Sequence, residues 1–190
     1  MHKLILASQS PRRKQLMEAA ELTFEIIIAD VDETNPEGMP GDEVPEFLAK
    51  KKAAAIQHMV SDAIVIAADT VVLLDHHILG KPRDAAHAKE TLHQLSGRTH
   101  HVVTGVCMQS ATKQISFSTT TAVYFRKLTT EQINHYIDNY KPFDKAGAYA
   151  IQEWIGMIGI ERIDGDYYNV MGLPIGEVSK RLRSEFDMDV

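Results

Sequence analysis

The sequence predicts an α/β protein built on a mixed, twisted sheet flanked by helices. Three observations carry that reading. Short apolar or β-branched runs alternate with cappable helical segments through the first half of the chain, the pattern of strand–helix units. In the middle, two strand-like stretches follow each other across a short polar turn, the pattern of an antiparallel hairpin. A length of 190 residues, 44% hydrophobic and 24% charged, suits one globular domain over residues 1–190 with a sizeable core.

Each element follows from local chemistry. Leu4 to Ala7 is a short apolar run and reads as a buried strand; Pro11 to Ala20 reads as a helix. Thr23 to Ile28 is rich in β-branched residues and reads as a second strand. Asp32 to Gly41, with Pro36, Gly38, Pro40 and Gly41, is a loop. Val44 to Met59 is an Ala- and Lys-rich helix after an acidic start at Asp42 and Glu43. Ala63 to Leu74 holds two apolar runs broken by Asp69 and Thr70. Gly80 to Asp84 is a turn, Asp84 caps a helix reaching about Leu95, and Ser96-Gly97 ends it. Thr99 to Gln109 and Ile115 to Phe125 form the hairpin, and Thr129 to Ile137 is a helix capped by Thr129 or Thr130. Ile155 to Ile163 reads as a strand and Pro174 to Phe186 as the last helix.

Composition excludes several classes. A net charge of −6 argues against binding a nucleic acid polymer, though it leaves room for a small basic pocket. The single Cys107 has no internal disulfide partner, no charged leader is read at the N-terminus, and no apolar run is long enough to span a membrane. The expectation is a cytoplasmic protein with no membrane contact. The pairs His76-His77 and His100-His101 lack metal-site spacing and read as surface or hairpin residues. Neither a Walker phosphate loop nor a G-x-S-x-G elbow is present.

The chemistry concentrates elsewhere. In ILASQSPRRKQL, Ser10 suits an N-cap and Pro11 the first helical position, so a helix starts directly after a strand. Its unpaired N–H groups, together with Ser8 and the forked donors of Arg12 and Arg13, suit a phosphate chain; the same arginines would equally pair with surface carboxylates. Asp30, Asp32 and Glu33 alternate at a strand end, where carboxylates can gather a hard cation or simply be solvated. Asp69 lies inside an apolar stretch, where an unpaired carboxylate is costly, so it is either functional or bonded to a turn at a strand end. Lys52 on the Lys50–Lys52 helix and Lys81 in Gly80-Lys81-Pro82 are cations placed to reach an anion.

Six segments in this order resemble one family. They are Ser8-x-Ser10-Pro-Arg12-Arg13, Asp32-Glu33, Leu48-Ala49-x-x-Lys52-Ala53, Ala68-Asp69-Thr70-Val71-Val72, Gly80-Lys81-Pro82 and Gly147-Ala148-Tyr149-Ala150-Ile151-Gln152. From residue 3 to about 185 the chain resembles the Maf proteins, nucleoside triphosphate pyrophosphatases once described as septum-formation inhibitors. The resemblance implies two lobes around a cleft, similar to inosine triphosphatases, and a divalent cation (Mg2+ or Mn2+) as cofactor. It implies Asp69 as proton acceptor and Glu33, with Asp69, as metal carboxylates. Arg13, Lys52 and Lys81 would be the cations along the triphosphate, with Ser8 and Ser10 as further phosphate contacts. Arg12, Thr70 and Gln152 match positions linked to base choice. Gln152 points to the dTTP/UTP branch, since the sister branch that prefers 7-methyl-GTP has a glutamate there; the bland alternative is a glutamine capping a strand end. The other alternative is a non-catalytic regulator of septum formation, and a homodimer is expected from the family. On this reading Arg13→Ala would weaken catalysis with little effect on the fold.

Overall fold

The structure, a computed structural model, describes residues 3–189. Strand β1 (Lys3–Leu6) leads through a short loop to α1 (Pro11–Ala19). Ser10 caps α1 as its composition predicts, its hydroxyl accepting from the Arg13 N–H at 3.4 Å, with Pro11 in the first turn. Strand β2 (Phe24–Ile26) is shorter than the β-branched run predicts. Helix α2 (Val44–Gln57), β3 (Ala63–Leu74) and a short β4 (His77–Leu79) follow. Helix α3 (Ala85–Leu95) is capped by Asp84, whose carboxylate accepts the His87 N–H at 2.8 Å. Strands β5 (Thr99–Gln109) and β6 (Gln114–Phe125) form the expected hairpin. Helix α4 (Thr130–Tyr140) opens with a reciprocal capping box between Thr129 and Gln132. Two 3₁₀ turns, Pro142–Asp144 and Ala146–Ala148, lead to α5 (Trp154–Gly159), β7 (Ile160–Asp164), α6 (Tyr167–Met171) and α7 (Ile175–Phe186).

The sheet is mixed, as predicted, in the order β2-β1-β3-β5-β6-β7, with β4 paired to β3. The β2–β1 and β1–β3 pairs are parallel and the remainder antiparallel. One detail of register positions the site. On one edge β3 pairs with β1 only as far as Ile66, and β4 takes up the same edge only from Val72. Between them, residues 67–71 have no strand neighbour on that side. The sheet is split there, and the split opens where β1 ends and α1 begins, the place where open α/β sheets hold ligands. Asp69 and Thr70 therefore lie within one continuous strand rather than at a strand end.

Alternation sends those two side chains to opposite faces. Ile64, Ile66, Ala68, Val72 and Leu74 join the main core beneath α1, α3, α4 and α7, while Val65, Ala67, Val71 and Leu73 face α2. Asp69 thus points to the α2 side and Thr70 to the other. Helix α2 approaches closely because Gly105 lies opposite Asp69 in β5: a Cβ there would sit 2.1 Å from the Glu46 nitrogen and 2.3 Å from the Pro45 carbonyl carbon. Both neighbours are backbone, so an added methyl must push the helix. Gly105→Ala should cost about 1–3 kcal/mol through overpacking. The expected result is a melting temperature several degrees lower, together with reduced turnover, because α2 carries Lys52. An unchanged melting temperature would show that α2 tolerates the shift.

The segment Ile155 to Ile163, expected to be a strand, divides into α5 and the start of β7. Its apolar run fits either periodicity, and length alone is a poor arbiter for short runs. The turn is favoured by Gly156, where a Cβ would lie 1.8 Å from the Ile151 carbonyl oxygen.

Candidate active site

The split in the sheet continues into a cleft of about 1130 Å³. One wall comes from the loop after β1, the start of α1, residues 28–31, Glu33 and Lys52 of α2. The other comes from residues 78–81, the 144–152 segment and residues 170–172. Every residue of the expected site lines it: Ser8, Ser10, Arg12, Arg13, Glu33, Lys52, Asp69, Thr70, Lys81 and Gln152.

On the α2 face, Lys52 Nζ lies 2.7 Å from Asp69 Oδ1 and 2.8 Å from Glu33 Oε1. The hydrogen bond from Lys52 is the main influence holding the Glu33 carboxyl below the usual range; it overcomes partial desolvation, and the charges of Lys81 and Arg13 add to it. Lys81 lines the cleft with no ion pair or hydrogen bond among the described residues, and its charge acts on Glu33. The carboxylates at residues 30, 32 and 33 do not converge. Asp32 turns to Thr34, accepting from its N–H at 2.9 Å and its hydroxyl at 2.5 Å. Among the described residues no three of His, Cys, Asp or Glu form a cluster that could hold a metal ion.

On the other face, Arg13 is a clamp. Its Nε donates to the Gly172 carbonyl at 2.7 Å, Nη1 to the Ala68 carbonyl at 2.8 Å and to Ser8 Oγ at 3.2 Å, and Nη2 to Thr70 Oγ1 at 3.0 Å. Of five guanidinium N–H groups, four serve the protein. Desolvation pulls the Arg13 pKa down, opposed by the negative charge of Asp69. The Ala68 carbonyl belongs to the unpaired stretch of β3, so Arg13 supplies the partner that a neighbouring strand would otherwise give. The Arg13 side chain is thus part of the packing between β3, the β1–α1 loop and Gly172, and Thr70, which lines the cleft, also meets Thr104 Oγ1 at 2.9 Å.

A chain of alternating charges that the sequence did not reveal links the start of α1 to the far wall. Arg12 Nη1 lies 3.4 Å from Asp144; Lys145 Nζ lies 2.8 Å from Asp144 and 3.4 Å from Glu153. Glu153 accepts the Tyr136 hydroxyl proton, and that hydroxyl oxygen accepts the Ala150 N–H at 3.2 Å. His100 sits in the hairpin, fully buried, with Nε2 at 2.7 Å from the Tyr149 hydroxyl. Burial pushes its pKa down to about 3, so it remains neutral near pH 7.

A mixed α/β sheet split over a carboxylate–ammonium cluster, with a helix start beside it, defines an α/β protein with a charged cleft at the point where the strands part. The chain belongs to the Maf family: the model of the Maf-like proteins matches residues 3–185. It is 45% identical to a dTTP/UTP pyrophosphatase of Parabacteroides distasonis, over 96% of this chain and 95% of that one. It is 46% identical to a dTTP/UTP pyrophosphatase of Cytophaga hutchinsonii, over 98% and 86% respectively. It is 47% identical to one of Porphyromonas gingivalis, over 92% and 89%. Among solved structures, the Ham1 protein of Staphylococcus aureus superposes with a TM-score of 0.49 at 16% identity, covering 65% of this chain and 71% of that one. No helix among the described residues is long and apolar enough to cross a membrane.

Proposed function

We propose that this protein hydrolyses dTTP and UTP to the nucleoside monophosphate and pyrophosphate. The observation that carries the reading is the Asp69–Lys52–Glu33 cluster on the open stretch of β3, with Lys81 lining the same cleft. Among the described contacts Lys52 takes Asp69 through Oδ1 alone, which leaves Oδ2 to accept a proton from water. That water attacks the α-phosphorus, the bond to the bridging oxygen breaks, and pyrophosphate departs with the electron pair. Lys81 and the last N–H of Arg13 offset the charge that develops there. Glu33 and Asp69 are hard oxygen donors converging on one ammonium, a set that fits Mg2+ or Mn2+ when phosphate oxygens and water complete the shell. When bound, the ion would neutralise phosphate charge.

Gln152 stands exposed on the far wall with its amide available. An amide donates and accepts at once and so suits the carbonyl and imide N–H of uracil or thymine. The test compares dTTP, UTP, CTP, GTP and 7-methyl-GTP on wild type and Gln152→Glu. Wild type should favour dTTP and UTP by at least about tenfold, roughly 1.4 kcal/mol of discrimination. The Glu variant should lose that ranking and gain on 7-methyl-GTP. A wild-type preference for 7-methyl-GTP would overturn the assignment; an unmoved ranking in the variant would remove Gln152 from base reading.

A further inference from the structure

We infer that Lys145, acting through its ion pair with Glu153, is a positioning residue for base discrimination. The inference rests on the base-reading role proposed for Gln152. Lys145 is only 8% exposed although it lines the cleft, and its ammonium spans two carboxylates. The 3.4 Å contact to Glu153 joins the two ends of the segment that carries Gln152, and so closes it into a loop. Glu153 in turn holds the Tyr136 hydroxyl, which accepts the Ala150 N–H in the middle of that loop. The segment is thus fixed at both ends and once between them, by side chains that all converge on Glu153.

Fixing matters for an amide in particular. A glutamine whose backbone drifts brings its amide to no fixed point on a ligand, and then reads thymine and cytosine edges alike. Discrimination requires that its backbone be held. The same chain of contacts continues from Lys145 through Asp144 to Arg12 on α1, and so ties the base wall to the phosphate end of the cleft. Lysine at this point is a strut between carboxylates, where a cation bound to phosphate would instead turn its ammonium to the ligand.

The experiment measures kcat/KM for dTTP and dCTP, and turnover of inorganic triphosphate as a probe without a base. It uses wild type, Lys145→Met, Lys145→Arg and Glu153→Gln. The dTTP:dCTP ratio should fall at least about fivefold in Lys145→Met, with KM for dTTP rising more than kcat falls. Glu153→Gln keeps an acceptor for Tyr136 but removes the charge, and should lose the ratio to a similar degree even if Lys145→Met folds poorly. Lys145→Arg retains the pair and should keep the ratio within about twofold. An unchanged ratio in both Lys145→Met and Glu153→Gln, with all three substrates slowed evenly, would overturn the inference and make Lys145 a phosphate-side charge. That outcome would leave the role of Gln152 standing. A wild type that hydrolyses triphosphates without any dTTP preference would instead overturn base reading by Gln152, and this inference with it.

Discussion

Asp69→Asn should reduce pyrophosphate release from dTTP by about a hundredfold or more while leaving the fold and nucleotide binding intact. The amide has almost the shape of the carboxylate but cannot take the proton of the attacking water. Loss of the Lys52 contact would ordinarily leave a partly buried ammonium uncompensated. Here Lys52 retains Glu33 at 2.8 Å, so the helix that carries it keeps an anchor. The substitution also adds no volume against Gly105 across the strand pair, where space is shortest. Assays at saturating nucleotide, a melting curve and calorimetric titration of dTTP separate the effects. Turnover within a few-fold of wild type would remove Asp69 as proton acceptor, and a loss of binding in step with turnover would make it a ligand contact instead.

Asp69 could be found in the sequence because burying a carboxylate among alanines and valines demands a reason. The start of α1 was equally legible, since Ser10 and Pro11 carry their helix positions in their own covalent structure. The continuity of β3 was not. Asp69 and Thr70 interrupt an apolar run, and only the register of β1 and β4 shows that the strand continues while its neighbours stop. Short elements such as β4 and α6 offer too few residues for a period to emerge. The chain from Arg12 to Tyr136 was invisible for a different reason. Each member is an ordinary charged or polar residue, and pairs such as Tyr136–Glu153 form only when a helix and a loop 17 residues apart are packed together. The role of Arg13 was half legible: a cation at a helix start signals an anion, but its acceptor at Gly172 lies 159 residues away.

That distance makes Arg13→Ala the second variant of large effect, with an outcome on two axes. Removing the guanidinium leaves the Ala68 carbonyl without its donor and the Gly172 carbonyl with only the 3.4 Å contact from the Thr70 hydroxyl, beside a strand stretch that has no other neighbour on that edge. A buried acceptor left unpaired costs about 1–3 kcal/mol, reduced where cleft water can reach it. For a chain of this size each kcal/mol moves the melting temperature by roughly 2–4 °C, so a fall of about 2–12 °C is expected. Turnover should fall at least about a hundredfold, because Ser8, Thr70 and the start of α1 lose their common partner at the same moment. Arg13→Lys is the sharper variant. It preserves the charge, yet an ammonium is a point donor and cannot span acceptors on β3, the β1–α1 loop and Gly172 together. It should therefore retain most of the deficit in both melting temperature and turnover. Full recovery by lysine would mean that Arg13 acts as a charge alone. A wild-type melting temperature in Arg13→Ala, with activity lost, would mean that the clamp contributes nothing to the fold and that the guanidinium serves the substrate.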